Sequence, residues 1–291
     1  MNSTALPGGA SIPALGLGTA RMGESRAHRA AEVAAVRSAI EMGYRLIDSA
    51  EMYGEGGAEE VVGQAVAEAL RAGDVRREEL FVVSKVYPHN ASRKGTVAAC
   101  ERSRRRLGLD HIDMYLLHWR GEHALADTVA AMHALVEAGK IGHWGVSNFD
   151  VDDMEELVAL PALQGHIEPR RACASNQVYY SLSQRGPEFS LLPWLRARGV
   201  PLMAYSPIDQ GTLARHAALA EIGQRLGLTA AQVALAWVAQ QAGVVAIPKA
   251  VNTPHLRDNL AAAGVTLDAD DLRRIDALFA PPRRKTPLAT T

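Results

Sequence analysis

Four side chains of this 291-residue sequence suit one reaction: Asp48, Tyr53, Lys85 and His118. A tyrosine hydroxyl, with an unperturbed pKa of about 10, protonates a substrate readily only where a nearby cation favours its phenolate. Lys85 is a source of that charge. Asp48 would hold the ammonium by a charge-assisted hydrogen bond, keeping it protonated and aimed at the Tyr53 oxygen. His118 would donate to a bound carbonyl oxygen and set its orientation. Together they deliver a proton to an oxygen gaining negative charge, which is the acid half of carbonyl reduction. The other half needs a hydride donor, and no side chain is one. A nicotinamide cofactor is therefore implied.

The elements that must bring these residues together are legible as short apolar runs: Leu15–Gly18, Leu46–Ile47, Leu80–Val83, Ile112–Leu117, Ile141–Val146, Cys173–Asn176, Val200–Ala204 and Val244–Ile247. Most lie about 30 residues apart, the span of a βαβ unit, and the gaps carry helical periodicity. In the first gap Val33, Val36 and Ile40 share one helical face, and Gly43 stands where a left-handed residue would end that helix. Thr229-Ala230-Ala231-Gln232 is a capping box before another helix. The runs read as strands covered on both sides, so the α/β pattern predicts a single (β/α)8 TIM barrel over 1–291, with short loops. A short Pro/Arg-rich tail, Pro281–Thr291, follows it. In such a barrel chemistry sits at the C-terminal ends of the strands. The residues at or after the runs are Thr19, Asp48, Lys85, His118, Ser147, Asn148, Gln177, Tyr205 and Lys249, with Tyr53 in the loop beyond Asp48. Taken singly, Asp48 and Lys85 would read as a structural ion pair, Gln177 as a strand-end group and Tyr205 as core. Their joint register favours convergence on a site.

At these residues the sequence resembles the aldo-keto reductase family, over nearly its whole length. Leu15-Gly16-Leu17-Gly18-Thr19, Asp48-Ser49-Ala50-Glu51-Met52-Tyr53-Gly54, Ser84-Lys85-Val86 and Leu116-Leu117-His118-Trp119 stand in the family's order and spacing. So do Gly145-Val146-Ser147-Asn148-Phe149, Asn176-Gln177, Tyr205-Ser206-Pro207 and Ile247-Pro248-Lys249. The resemblance implies Asp48, Tyr53, Lys85 and His118 as a catalytic tetrad. It further implies that Ser147, Asn148 and Gln177 hold the nicotinamide carboxamide and that the Tyr205 ring stacks on the nicotinamide. Gly18 and Thr19 join the cofactor contacts, Ser206 and Lys249 belong to the pyrophosphate and ribose-phosphate region, and Asp258 and Asn259 fall where adenine contacts are expected. The expected activity is NADPH-dependent reduction of aldehydes, with ketones and dicarbonyls as further substrates and NADH as a secondary cofactor. A redox-sensing or regulatory barrel with little turnover is the alternative.

Three positions depart from the family's pattern. Ala20-Arg21 replaces an aromatic residue often found after Thr19, Ala250 replaces a Ser after Lys249, and His255 replaces an Arg six residues after that Lys. Lys249 is thus expected to meet the 2′-phosphate, with His255 in place of a permanently charged, bidentate group. With 31 Lys+Arg against 32 Asp+Glu there is no global basic field, which argues against nucleic acid as a partner. The basic run Arg102-Ser103-Arg104-Arg105-Arg106 is expected on the solvated face of a helix. No apolar run is long enough for a membrane span, no secretory signal precedes Ala10, and no Cys/His cluster or His-Glu-x-x-His suggests a metal. Cys100 and Cys173 are expected as buried small hydrophobes. A cytoplasmic monomer acting on a small carbonyl compound is the expected setting.

Overall fold

Strand alternation builds the barrel and aims its site. The computed structural model describes residues 3–7, 9–165 and 168–290, so Thr291 of the expected tail lies outside the described residues. A hairpin of β1 (Ser3–Ala5) and β2 (Ser11–Pro13) precedes eight parallel strands. These are β3 (Leu17–Gly18), β4 (Leu46–Asp48), β5 (Phe81–Val86), β6 (Ile112–Leu117), β7 (Ile141–Ser147), β8 (Cys173–Tyr179), β9 (Leu202–Tyr205) and β10 (Val244–Ala246). Each pairs in parallel with the next. The cylinder closes where the Gly16 N–H donates to the Ala246 carbonyl at 2.8 Å and the Gly18 N–H to the Pro248 carbonyl at 3.0 Å. A Cβ at Gly18 would fall 2.8 Å from the Ile247 carbonyl oxygen, so the closing seam needs glycine there.

The helices are α1 (Arg29–Met42), α2 (Gly57–Ala72), α3 (Arg93–Leu107), α4 (Leu125–Glu137), α5 (Val151–Val158), α6 (Leu191–Ala197), α7 (Ala217–Leu226), α8 (Ala230–Ala239), α9 (Thr253–Ala262) and α10 (Ala269–Leu278). Gly43 ends α1 at φ 106°, and Thr229 and Gln232 exchange bonds at the start of α8, as their residue types predict. Among the described residues no helix is long and apolar enough to cross a membrane. Lys285 of the tail reaches Asp150 and Asp152 at the start of α5, and Leu288 packs on the core.

Two apolar layers result. Outward side chains such as Ile47, Val82, Tyr115 and Val146 pack against the helices. Inward ones, Leu46, Val83, Met114, Leu116, Ala174, Met203, Val245 and Ile247, fill the barrel, and Leu6 and Ile12 of the N-terminal hairpin segment plug its lower end. Truncating Leu116, fully buried, to alanine would cost about 2–5 kcal/mol. Because side chains alternate with a period of two, the next inward positions after Leu46, Val83 and Leu116 are Asp48, Lys85 and His118. The pattern that packs the core therefore delivers three polar groups to one mouth.

Candidate active site

Three of the four candidate catalytic residues extend inward rows of the barrel, and the fourth comes from a loop. Asp48 is the last residue of β4, while Lys85 lies inside β5, one residue short of its end rather than beyond it. His118 directly follows β6, its N–H donating to the Val86 carbonyl at 3.2 Å. Tyr53 opens a 3-10 turn, Tyr53–Gly56, between β4 and α2.

The Lys85 side chain is completely buried and makes three contacts through one ammonium. It donates to Asp48 Oδ2 at 2.7 Å, to the Ser49 carbonyl at 2.8 Å and to the Tyr53 hydroxyl at 3.3 Å. Burial pulls against its charge, but the Asp48 carboxylate, Tyr53 and their hydrogen bonds outweigh it and hold Lys85 above the ordinary lysine range. For Tyr53 the expected acidifying effect of Lys85 is present but is outweighed. Burial raises the phenol most, the Lys85 charge opposes it, Asp48 adds to it, and the net direction is upward. The cation softens the burial penalty without overcoming it, so the resting group is a protonated phenol.

The His118 ring meets Tyr53 edge-on, centroids 5.7 Å apart. Burial, then the Lys85 charge, hold the imidazole well below its usual range, so it is neutral at pH 7. Its Nδ1 is buried without a partner among the described residues, which leaves Nε2 as the nitrogen offered to the mouth. Trp119 sits tilted over His118 at 4.9 Å and Tyr87 packs edge-on against Trp119 at 5.6 Å, forming an aromatic wall.

A β-bulge supplies a further member. Between Trp144 and Val146 of β7 there is one residue, whereas their partners on β8, Cys173 and Asn176, enclose two. The extra residue resets the alternation. Asn176 consequently donates to the Phe149 carbonyl at 2.7 Å, while Gln177 turns in and donates to Asp48 Oδ1 at 2.8 Å. Sequence reasoning placed Gln177 at the cofactor only and missed that it grips the free oxygen of Asp48. A run of four strand-like residues carries no signal for a bulge.

The residues expected at the cofactor fall into two groups. Asn148 takes φ 59° and Ser206 φ 50°, left-handed conformations that cost a non-glycine residue free energy and persist where surroundings enforce them. Asn148 donates to the His118 carbonyl at 3.1 Å and accepts from the Tyr205 hydroxyl at 2.8 Å, while the Ser147 hydroxyl donates to the Gln177 carbonyl at 2.8 Å. Ser147, Asn148, Gln177 and Tyr205 thus adjoin the tetrad. Thr19, on β3's exit, spends both its N–H and its hydroxyl on the Asp48 carbonyl, at 3.0 and 2.9 Å, and Gly18 bridges to Lys249 across the seam. The second group lies further along the rim. Lys249 and His255 are exposed, Asp258 is half-buried and Asn259 is buried on α9. Asn252, which precedes α9, makes no side-chain capping bond.

Both cysteines are free and buried, and burial pushes each thiol up to about 12. The basic run of α3 departs from expectation. Only Arg105 is exposed; Arg104, Arg102 and Arg106 are half-buried and pair with Glu101, Glu51 and the fully buried Glu59.

Comparison with known proteins agrees with this geometry. The sequence model of the Aldo/keto reductase family matches residues 14–280. The chain is 46% identical over 286 residues to methylglyoxal reductase YeaE of Escherichia coli K12, covering 97% of this chain and 96% of that one. It is 36% identical to glyoxal reductase of Bacillus subtilis, covering 94% and 91%. An aldo/keto reductase of Klebsiella pneumoniae, solved in complex with NADP and acetate, superposes with a TM-score of 0.90 at 44% identity and covers 99% of both chains. With a match that spans the barrel from its first strand to its last helix, this chain belongs to the aldo/keto reductase family.

Proposed function

We propose that this chain reduces small aldehydes and α-dicarbonyls to alcohols at the expense of NADPH, with Tyr53 as the general acid. The observation that carries the reading is the single buried ammonium of Lys85, which touches Asp48 and the Tyr53 hydroxyl at once. A structural ion pair needs the first contact only. Placing a phenol on the same nitrogen, beside a neutral imidazole, prepares a proton for an oxygen in the mouth.

The residues present fit a nicotinamide nucleotide. The Gln177 amide oxygen accepts no bond from a described residue, and the left-handed Asn148 and Ser206 sit at the two strand ends flanking it. Ser147, Asn148 and Gln177 would hold the carboxamide, with the Tyr205 ring against the nicotinamide and Gly18 and Ser206 toward the pyrophosphate. Lys249 offers positive charge to a 2′-phosphate, with His255 and the open first turn of α9 beside it as N–H donors. Asp258 and Asn259 would face the adenine. When bound, the cofactor supplies the hydride.

The chain's own groups do the rest. In its Nε2–H tautomer, His118 donates to the carbonyl oxygen and orients it toward Tyr53. Being neutral, it polarises without surrendering a proton. As negative charge develops, Tyr53 gives up its proton, and the phenolate left behind is stabilised by the Lys85 ammonium it already touches. Asp48, fixed by Gln177 and Thr19, keeps that ammonium charged.

Substrate class rests on the mouth. Only 119–124 separate His118 from α4, and Trp119 stands 36% exposed, so few walls enclose a substrate. Relatives named for methylglyoxal and glyoxal support small, reactive carbonyl compounds. The test is NADPH consumption with methylglyoxal, glyoxal and a panel of small aldehydes, followed at the nicotinamide absorbance band. Turnover that requires Tyr53 supports the reading. NADPH binding without turnover of any of them would instead favour a regulatory barrel.

A further inference from the structure

Tyr53 opens a strained stretch of the site. Gly54, Glu55 and Gly56 follow it with φ of 56°, 52° and 91°, three left-handed residues in succession, one of them not glycine. Such a path costs free energy and holds only if its ends are fixed. On its outer side the loop rests on backbone. A Cβ on Gly54 would lie 2.7 Å from the Gly23 carbonyl carbon, and one on Gly57 2.4 Å from the Gly23 oxygen.

On the inner side both ends are gripped by one helix. Before Tyr53, Glu51 is nearly buried and accepts from Arg102 at 2.6 Å, from Asn90 and from the Tyr87 N–H at 3.2 Å. After it, the fully buried Glu59 accepts from Arg106 Nε at 2.6 Å and from the Ser84 hydroxyl at 2.5 Å. Arg102 and Arg106 are four apart on α3 and so share a face. Arg106 also lies flat beneath Gly56, where a Cβ would fall 2.4 Å from its Nε. Each grip refers the loop to the strand that carries the ammonium: Glu51 N–H donates to the Lys85 carbonyl at 3.2 Å, and Ser84 precedes Lys85 in β5.

We propose that Arg102 and Arg106 form a two-point clamp that sets the distance between the Tyr53 hydroxyl and the Lys85 ammonium. They are positioning residues, acting through Glu51 and Glu59. The inference rests on the reading of Tyr53 as the acid. Both grips close on the one segment bearing the acid, one on each side of Tyr53.

The test compares Arg102→Met, Arg106→Met and Glu51→Gln with Arg105→Met, an exposed neighbour on the same helix. Each is made in the parent and in Tyr53→Phe, with kcat, KM and NADPH Kd measured across pH. A misplacement of about 1 Å costs roughly 10²-fold in rate, so kcat should fall tenfold or more in the clamp variants while the aldehyde KM and the NADPH Kd stay within twofold. The alkaline limb of kcat should move to higher pH, because a phenol further from the ammonium is harder to ionise. In Tyr53→Phe the same substitutions should cost almost nothing more. Arg105→Met should match the parent throughout. Should Arg106→Met not fold, Arg102→Met and Glu51→Gln carry the test from the more exposed grip. Folded clamp variants with an unmoved pH limb, or losses that multiply with that of Tyr53→Phe, overturn the clamp alone. A fully active Tyr53→Phe overturns the acid assignment beneath it.

Discussion

Replacing Asp48 by Asn tests whether the carboxylate only positions Lys85 or keeps it charged. The substitution is nearly isosteric, but Asp48 accepts from two donors, Lys85 on Oδ2 and Gln177 on Oδ1. An amide has one acceptor and sets an NH2 against the other donor, at a cost of about 1–3 kcal/mol for the group left unsatisfied. The larger effect is on charge. At 2.7 Å the Lys85–Asp48 attraction is about 6 kcal/mol at an effective dielectric of about 20, and breaking a buried pair costs roughly 3–5 kcal/mol in practice. The ammonium would hold its proton less tightly, in a group with no exposed surface to regain hydration. The parent should show flat kcat for aldehyde reduction between about pH 6 and pH 8, since burial raises Tyr53 and depresses His118 out of that window. The Asp48→Asn variant should instead lose kcat progressively toward alkaline pH, because Lys85 without the carboxylate gives up its proton at a lower pH than in the parent. Steady-state turnover at saturating NADPH and methylglyoxal, with folding checked by circular dichroism at each pH, reads this directly. A variant lowered by one constant factor at every pH would refute the charge-keeping role and leave positioning alone.

Three further outcomes follow from the same geometry. Burial holds the His118, His133 and His143 imidazoles below their usual range, so the folded chain resists protonation that the unfolded chain accepts. Stability from these groups is fully present above about pH 6.5 and is lost as pH falls; Tm should decline from pH 7 toward pH 5, less steeply in His118→Gln, and a Tm that holds or rises would contradict this. His255→Arg should tighten NADPH binding and leave NADH unchanged, because a guanidinium offers a phosphate a permanently charged, bidentate contact; equal Kd shifts for both cofactors would show that position 255 does not read the phosphate. With few walls around the mouth, kcat/KM should vary modestly across small aldehydes and dicarbonyls and be poor for steroids; submicromolar KM for one bulky ketone, with small aldehydes inert, would contradict the open site.

Much of this site was legible because barrel strands and site residues share one periodicity. Leu46, Val83 and Leu116 announce inward rows, and Asp48, Lys85 and His118 are the next inward positions, so the pattern that marks the core also marks the mouth. Local chemistry was equally readable where it was local, as at Gly43 and the Thr229 box. What could not be read depended on distance or on a broken period. The bulge in β8 that turns Gln177 onto Asp48 shifts alternation by one residue without changing residue types. Arg102 and Arg106 looked like a solvated basic face because their partners, Glu51 and Glu59, lie in a different part of the chain. Burial also outweighs the expected effect of Lys85 on Tyr53, since a sequence names the cation beside the phenol but not how much water the fold removes from it.

The central claim is that the Tyr53 hydroxyl delivers the proton in carbonyl reduction. Tyr53→Phe removes that hydroxyl and retains the ring that packs edge-on against His118. The account predicts that kcat with methylglyoxal falls about 10²- to 10⁴-fold, the usual contribution of a general acid, while NADPH Kd, read by quenching of tryptophan fluorescence, stays within twofold of the parent. Retention of near-parental kcat by the folded, NADPH-binding variant would contradict it.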